Sequence, residues 1–303
     1  MRYNNFSNYL KKKYGEKVWK IPLHAGFSCP NLDGTLSDTG CIYCNNKAFN
    51  IQAGRNSQSL DEQIRSSIQR MKKIRKVSKF IAYFQTYTNT YATVDTLNRT
   101  YDTVLKYPEI VALSIGTRPD CVDTEKLDLI ERYTDKLDVW LEYGLQSIHN
   151  RTLKKINRRH TYEDFVKAVR LTKERDIAIC AHVIAGLPGE SKDDFLQTVQ
   201  SVAELDIEGI KFHPLHVLKG TLLEKMYKQN QIFLLKVDDY AEIICDALEI
   251  LPENMVIQRL TADADEQFLI APEWCKKQNK MKVIDLINRK LKARQTCQGY
   301  RYK

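Results

Sequence analysis

The chain has 303 residues, 43% hydrophobic, 28% charged and 10% aromatic. That composition buries a sizeable core and excludes a disordered chain, a collagen-like fibre and a small disulfide scaffold. Lys and Arg number 47 against 38 Asp and Glu, a net charge of +9. The excess recurs at residues 11–13, 70–76, 154–159, 276–282 and 289–303, which favours an anionic partner, nucleic acid first, over the plainer reading of a solvated surface. No apolar run reaches the roughly 18–20 residues of a membrane span. The first five residues lead into polar and basic ones without the apolar stretch of a signal peptide, so the expected compartment is the cytoplasm, with no membrane partner.

From the N-terminus, short apolar runs rich in β-branched residues predict strands at 18–24, 80–84, 111–115, 139–143, 177–184 and 209–215. Between them apolar residues recur at helical spacing: Leu60, Ile64, Ile68 and Met71; Val94, Leu97 and Tyr101; Leu127, Ile130 and Tyr133; Phe165 and Val169; Phe195, Val199 and Val202. Continuously apolar strands are those of parallel sheets covered on both faces. Six strand–helix units in series predict an α/β fold, and six is fewer than the eight of a closed barrel. The expectation is an open, partial (β/α)6 barrel over 1–250. After 251 the pattern changes to one strand at 255–260, a loop with Pro272 and Trp274, and a basic helix at 280–294. Residues 251–303 read as a C-terminal basic extension packed on the barrel.

Eight cysteines are present. Cys121, Cys180, Cys245, Cys275 and Cys297 are scattered, as small buried hydrophobes are. Cys29, Cys41 and Cys44 share one glycine-containing loop just after the first predicted strand. A structural zinc ion takes four ligands, so zinc here needs a remote fourth. Cys41-x-x-Cys44 alone fits a redox pair but leaves Cys29 without a role. Three thiolates on a [4Fe–4S] cluster leave one iron free for an outside ligand, with Tyr43 placed to shield it. Spacing alone leaves all three readings open.

Further segments close or follow the predicted strands: Gln85-Thr86-Tyr87-Thr88-Asn89-Thr90-Tyr91, Gly116-Thr117-Arg118-Pro119-Asp120, Glu142-Tyr143-Gly144-Leu145-Gln146-Ser147, Gly186-Leu187-Pro188-Gly189-Glu190, His213-Pro214-Leu215-His216-Val217-Leu218-Lys219-Gly220-Thr221 and Arg259-Leu260-Thr261. On these and the cysteine loop, the chain resembles the YhcC/YtqA-type radical S-adenosylmethionine (SAM) proteins over nearly its full length. More distantly it resembles the Elongator catalytic subunit and the oxygen-independent coproporphyrinogen oxidases.

The resemblance implies that Cys29, Cys41 and Cys44 hold a [4Fe–4S] cluster whose free iron chelates SAM. The cluster's electron then cleaves SAM to a 5′-deoxyadenosyl radical that abstracts hydrogen. It implies SAM contacts residue by residue. Gln85 and Thr86 occupy the turn whose carbonyls accept the SAM amino group in relatives, here without its glycines. Glu142 would accept the ribose hydroxyls. Gln146 and Arg158 would face SAM, the guanidinium suiting its carboxylate. Gly186 and Pro188 would lie against adenine, and His182 takes a position that is acidic in coproporphyrinogen oxidase. Each has a plainer reading: a hydrogen-bonded loop, an edge charge, a surface cation, a turn capped by Ser191, a core histidine, as also for His213 and His216. Gly116 stands where the Elongator pattern has a glutamate. No catalytic residue is assigned.

Elongator-type relatives act on the wobble uridine of tRNA, and some of the close family are linked to tailoring its C5 side chain. The expected substrate is therefore tRNA, presenting an unstacked base, with 276–303 as part of the RNA-facing surface and flavodoxin or ferredoxin as reducing partner. The alternatives are a radical SAM enzyme acting on a small carboxylated metabolite, and a non-catalytic zinc-stabilised nucleic-acid-binding protein.

Overall fold

The computed structural model describes residues 2–45 and 58–302. Its sheet begins with β1 (Val18–Leu23), β2 (Lys79–Phe84), β3 (Ile110–Thr117), β4 (Asp138–Gln146), β5 (Ala178–Ala185) and β6 (Gly209–Pro214), every neighbouring pair parallel. All six predicted strands are present, and β4 runs to Gln146, three residues beyond its apolar core. After the two-residue β7 (Val217–Leu218), β8 (Val256–Arg259) pairs parallel with β6 and adds a seventh strand to the sheet. β9 (Leu269–Ala271) pairs with β7 in a separate antiparallel ribbon. The order β1-β2-β3-β4-β5-β6-β8 leaves the barrel open. It is nonetheless strongly curled: Lys20 on β1 reaches both Glu142 on β4 (2.8 Å) and Gln258 on β8 (2.9 Å).

A helix precedes the sheet, α1 (Phe6–Tyr14), and others cover it, including α2 (Leu60–Arg75), α3 (Val94–Asp102), α4 (Thr124–Glu131), α5 (Asn150–Lys155), α6 (Tyr162–Lys173) and α7 (Lys192–Glu204). Ser59, Thr161 and Ser191 each start a helix with a reciprocal capping box, satisfying backbone donors that the first turn leaves unpaired. The outward residues of the strands, such as Leu23, Phe84, Leu113, Leu141 and Val183, pack against Ile64, Leu97, Phe165 and Phe195 in the main core.

The inward residues form layers. At the foot, Ile81, Ala112, Trp140, Cys180 and Val256 cluster with Phe6 and Leu10 of α1. Phe6 and Tyr9 meet the Trp140 ring edge-on at 5.7 and 6.0 Å, so α1 plugs that end. A Cβ at Gly209 would crowd this layer, lying 3.0 Å from Trp140 and 3.2 Å from Val256 O. Above the plug comes a polar belt, and above that the mouth.

The C-terminal segment adds α8 (Leu222–Lys228), α9 (Val237–Glu249) and α10 (Lys280–Arg294). Much of its positive charge is spent inside the fold. Arg294 binds Asp246 at 2.7 Å and Glu249 at 3.0 Å, Lys290 binds Glu242 at 2.6 Å, Lys280 binds Asp263 at 2.7 Å and Arg301 binds Glu249 at 2.7 Å. Lys282, Arg289 and Lys292 remain exposed along one face of α10, without an ion pair to any described residue. That face of the basic tail suits an external anion.

Candidate active site

The three clustered cysteines follow β1 in a loop held by its own backbone: Leu32 N–H to Cys29 O (2.8 Å), Leu36 N–H to Pro30 O (2.7 Å) and Cys44 N–H to Cys41 O (3.0 Å). The segment after α5 locks it from outside. Asn157 donates to Gly40 O at 2.6 Å, and buried Asn31 donates to Asn157 O at 2.7 Å and to Cys41 Sγ at 3.4 Å. Arg158, 8% exposed, donates from Nη1 to Cys41 Sγ at 3.5 Å and from Nη2 to Gly144 O at 2.8 Å. Gly144 makes that approach possible, because a Cβ there would sit 2.5 Å from Arg158 Nη2.

Cys29, Cys41 and Cys44 line one cavity of about 70 Å³, together with Asn31, Thr88, Arg118 and Arg158. Four buried polar atoms of this wall have no partner among the described residues: Asn31 Oδ1, Thr88 Oγ1, Arg118 Nη1 and Arg158 Nε. Buried polar atoms are otherwise satisfied almost everywhere in folded proteins. Arg118 is oriented by a two-point bond to Asp120 (2.9 and 2.7 Å) that leaves Nη1 over. Burial, with the Cys41 and Cys29 thiols close by, pushes the Cys44 thiol up to about 12. Burial opposes the charge of Arg158, but Tyr43 and Cys41 outweigh it and hold the guanidinium protonated. Three thiols and two guanidinium groups therefore face one small space that suits an anionic, sulfur-ligated group. Among the described residues no three His, Cys, Asp or Glu side chains lie close enough to grip a single metal ion. In a [4Fe–4S] cluster each of three thiolates binds a different iron and one iron stays open, which a wall carrying three thiols accommodates.

A second cavity, of about 160 Å³, adjoins the first at Cys44. Of the residues expected to contact SAM, Gln85, Thr86, Gln146 and His182 line it, with Tyr43, His213, His216 and Arg259. Gln146 ends β4 with φ 73°, beside a register shift against β5. This is left-handed backbone in a non-glycine residue, strain that is tolerated where geometry serves a site. The turn after β2 is tied by Asn89, whose side-chain amide donates to Phe84 O (3.1 Å), Thr86 O (3.1 Å) and Gly116 O (2.8 Å). Gly116 is explained by the same turn: a Cβ there would lie 3.1 Å from Phe84 O and 3.4 Å from Gln85 O. Arg158 belongs to the thiol cavity. Gly186 and Pro188 line neither cavity. Gly186, at φ 84°, backs onto Leu235.

Glu142 lies one layer deeper, 1% exposed, in the polar belt. Oε1 accepts from Lys20 (2.8 Å) and Ser114 (3.1 Å), while Oε2 pairs with Lys211 and with His182 Nε2 (3.1 Å). Burial alone raises a carboxylate, yet Lys20 and Lys211 together hold this one well below its usual range. Burial brings Lys211 down to about 7 against the pull of Glu142, and burial with Lys211 nearby brings His182 down to about 4. Through His182 the belt touches the cavity floor.

A family model of the Radical SAM superfamily matches residues 38–202, and one of the Radical_SAM C-terminal domain matches 207–293. The chain belongs to the radical SAM superfamily. It is 39% identical over 298 residues to YtqA of Bacillus subtilis (98% of this chain, 92% of the relative) and 38% identical over 273 residues to YhcC of Escherichia coli K12 (90% and 87%). A tRNA uridine(34) acetyltransferase of Methanocaldococcus infernus is 29% identical over 157 residues, which is 50% of this chain and 29% of that protein. The radical SAM fold is seen in the structure of Methanocaldococcus infernus Elp3, with a TM-score of 0.67 at 20% identity, covering 93% of this chain and 64% of that one. The chain is a radical SAM enzyme, and the family implies a [4Fe–4S] cluster and SAM.

Sequence reading passed over several site residues. Arg118 and Asn89 were visible only as members of motifs. Lys20 and Lys211 carry no signal as isolated lysines in strands, because what they meet depends on the curl of the sheet.

Proposed function

We propose that this enzyme holds its [4Fe–4S] cluster through Cys29, Cys41 and Cys44, binds SAM beside it, and starts radical chemistry on the C5 side chain of the tRNA wobble uridine. The observation that carries the reading is the shared thiol cavity with its four unpartnered polar atoms. When bound, the cluster supplies the electron that cleaves SAM. Asn31 and Arg158 hold Cys41 by hydrogen bonds to its sulfur, and Arg118 and Arg158 offer charged donors to the SAM carboxylate. Gln85, Thr86, Gln146 and His182 form the wall on which the rest of SAM lies, with Gly186 and Pro188 behind it toward adenine. Glu142 acts indirectly: its second oxygen fixes His182, so its contribution is positioning, in place of direct ribose contact.

The tRNA part is supported by the named activity of the acetyltransferase relative and by the net charge of +9. A flavodoxin or ferredoxin would reduce the cluster. Eight free thiols suit the reducing cytoplasm, where we place the reaction.

Anaerobic reconstitution tests the centre: about four irons and four sulfides per chain, lost on replacing any of the three cysteines by serine, against one zinc for the non-catalytic alternative. Nucleoside profiles of tRNA from cells with and without the protein test the substrate. A missing modified uridine supports tRNA, and an unchanged profile turns the reading to a small carboxylated metabolite.

A further inference from the structure

The belt beneath the larger cavity, with Arg259 on the cavity wall, holds more cations than carboxylates. Lys211 on β6 and Arg259 on β8 are register partners, and Lys20 reaches the same belt from β1. Against these three stands Glu142, whose oxygens are both occupied by Lys20, Ser114, Lys211 and His182. Arg259, half-buried on the cavity wall, has no acidic partner among the described residues. Beside it His213 stacks on His182 (5.6 Å between ring centres, 22° between planes), and its buried Nε2 is without a hydrogen-bond partner. A guanidinium left unpaired in a confined site is costly unless a ligand completes it. Even with Lys211 neutral, two cations face one carboxylate.

We propose that Arg259 and His213 form an anion subsite that seats a carboxylate or phosphate group carried by the substrate. The inference deepens the reading above and rests on it for the larger cavity being where substrate meets SAM. The SAM carboxylate is a separate anion, because Arg118 and Arg158 line the thiol cavity and Arg259 does not. Burial first, and the charge of Arg259 beside it, hold His213 neutral. It therefore contributes a hydrogen bond, and Arg259 the charge.

The test is chemical protection of the cluster-loaded, full-length protein under anaerobic conditions. Arg259 is modified with phenylglyoxal and His213 with diethyl pyrocarbonate, each read by peptide mass spectrometry, in acetate, in inorganic phosphate, and in chloride of equal ionic strength. An anion at ten times its Kd should slow both modifications about tenfold. Acetate alone protecting identifies a carboxylate, phosphate alone a phosphate group, and both together the shared subsite. In Arg259→Gln the protection of His213 should fall below about twofold, and in Arg259→Lys it should largely return. His213→Gln gives an independent reading, with weaker protection of Arg259. SAM affinity of Arg259→Gln, by calorimetry, should stay within about twofold of wild type. Protection by neither anion overturns the proposal, as does protection by SAM with a matching loss of SAM affinity. The assay contains no RNA, so its failure is distinct from failure of the tRNA reading.

Discussion

Replacing Glu142 by glutamine probes the polar belt directly. The substitution keeps the shape and removes the only carboxylate facing Lys20 and Lys211 among the described residues. The Lys211 side chain is 2% exposed and the Lys20 side chain 23% exposed. Lys20 keeps partial hydration and lies over the Tyr83 ring at 4.5 Å, so it tolerates the loss. Lys211 does not, and breaking a buried pair from one side costs about 3–5 kcal/mol. Lys211 can escape by releasing its proton, since burial already brings it down to about 7. Without Glu142, which raises it, its folded value drops further. The unfolded chain then holds the extra proton over a wider range, and the variant regains stability as pH rises toward 7. Above about 7 both proteins carry a neutral Lys211 and the gap stays flat, near the roughly 1–2 kcal/mol of the lost hydrogen bonds. Urea midpoints at about pH 5.5 and about pH 8, followed by tryptophan fluorescence, measure the gap; Trp140 lies buried at the barrel foot. The double variant Glu142→Gln/Lys211→Met should recover about 1 kcal/mol or more at the lower pH. A gap independent of pH, with no recovery in the double variant, would refute the reasoning.

Gly144→Ala puts a Cβ 2.5 Å from Arg158 Nη2 and 2.8 Å from Gln146 Nε2; it should weaken SAM binding about tenfold or more by calorimetry with little change in melting temperature. Acid should destabilise the fold before carboxylates of ordinary pKa titrate. Burial, aided by neighbouring cations, holds His160 and His213 well below the usual histidine range and His182 at about 4, so the unfolded chain takes up protons first. Stability then falls as pH drops from about 6.5, by about 1.4 kcal/mol per pH unit for each histidine, which denaturation midpoints will show. On the RNA side, changing Lys282, Arg289 and Lys292 to glutamine should weaken tRNA binding and flatten its salt dependence, by filter binding at several salt concentrations. The same change at Lys290 and Arg294 should lower the melting temperature instead, because those two already hold α9 to α10.

The strands were legible because a parallel strand covered on both faces is largely apolar, as the run 80–84 is throughout. The thiol loop was legible because its ligands are local in sequence. Glu142 was readable as a carboxylate near a strand end, but not as a buried one. β4 continues to Gln146, which places Glu142 below the rim, and the lysines that enclose it come from strands 122 and 69 positions away. Alternation along a strand tells which residues point inward, whereas their partners are set by curl and register. For the same reason the whole of 276–303 read as RNA-facing surface, although Arg294 folds back on acids of α9 some 45 to 52 positions earlier.

The two cavities share Cys44, and each has positive charge in its own wall. Arg118 and Arg158 line the thiol cavity, Arg259 and His213 line the larger one, and Cys44 lines both. On the proposed reading each cavity fixes one anionic group, the SAM carboxylate in one and the substrate's own in the other. Two fixed groups set the orientation of whatever lies between, so the reacting carbon can be held near the SAM ribose without contacts to that carbon itself. This is the geometric advantage that positioning gives to a reaction between two bound partners. It also explains why the belt below is so heavily cross-linked: Arg259 can remain unpaired because Glu142 is wholly engaged by Lys20 and Lys211. Freeing one of its oxygens, as Lys20→Met would, should let the carboxylate compete for Arg259, and the anion protection of His213 should then fall.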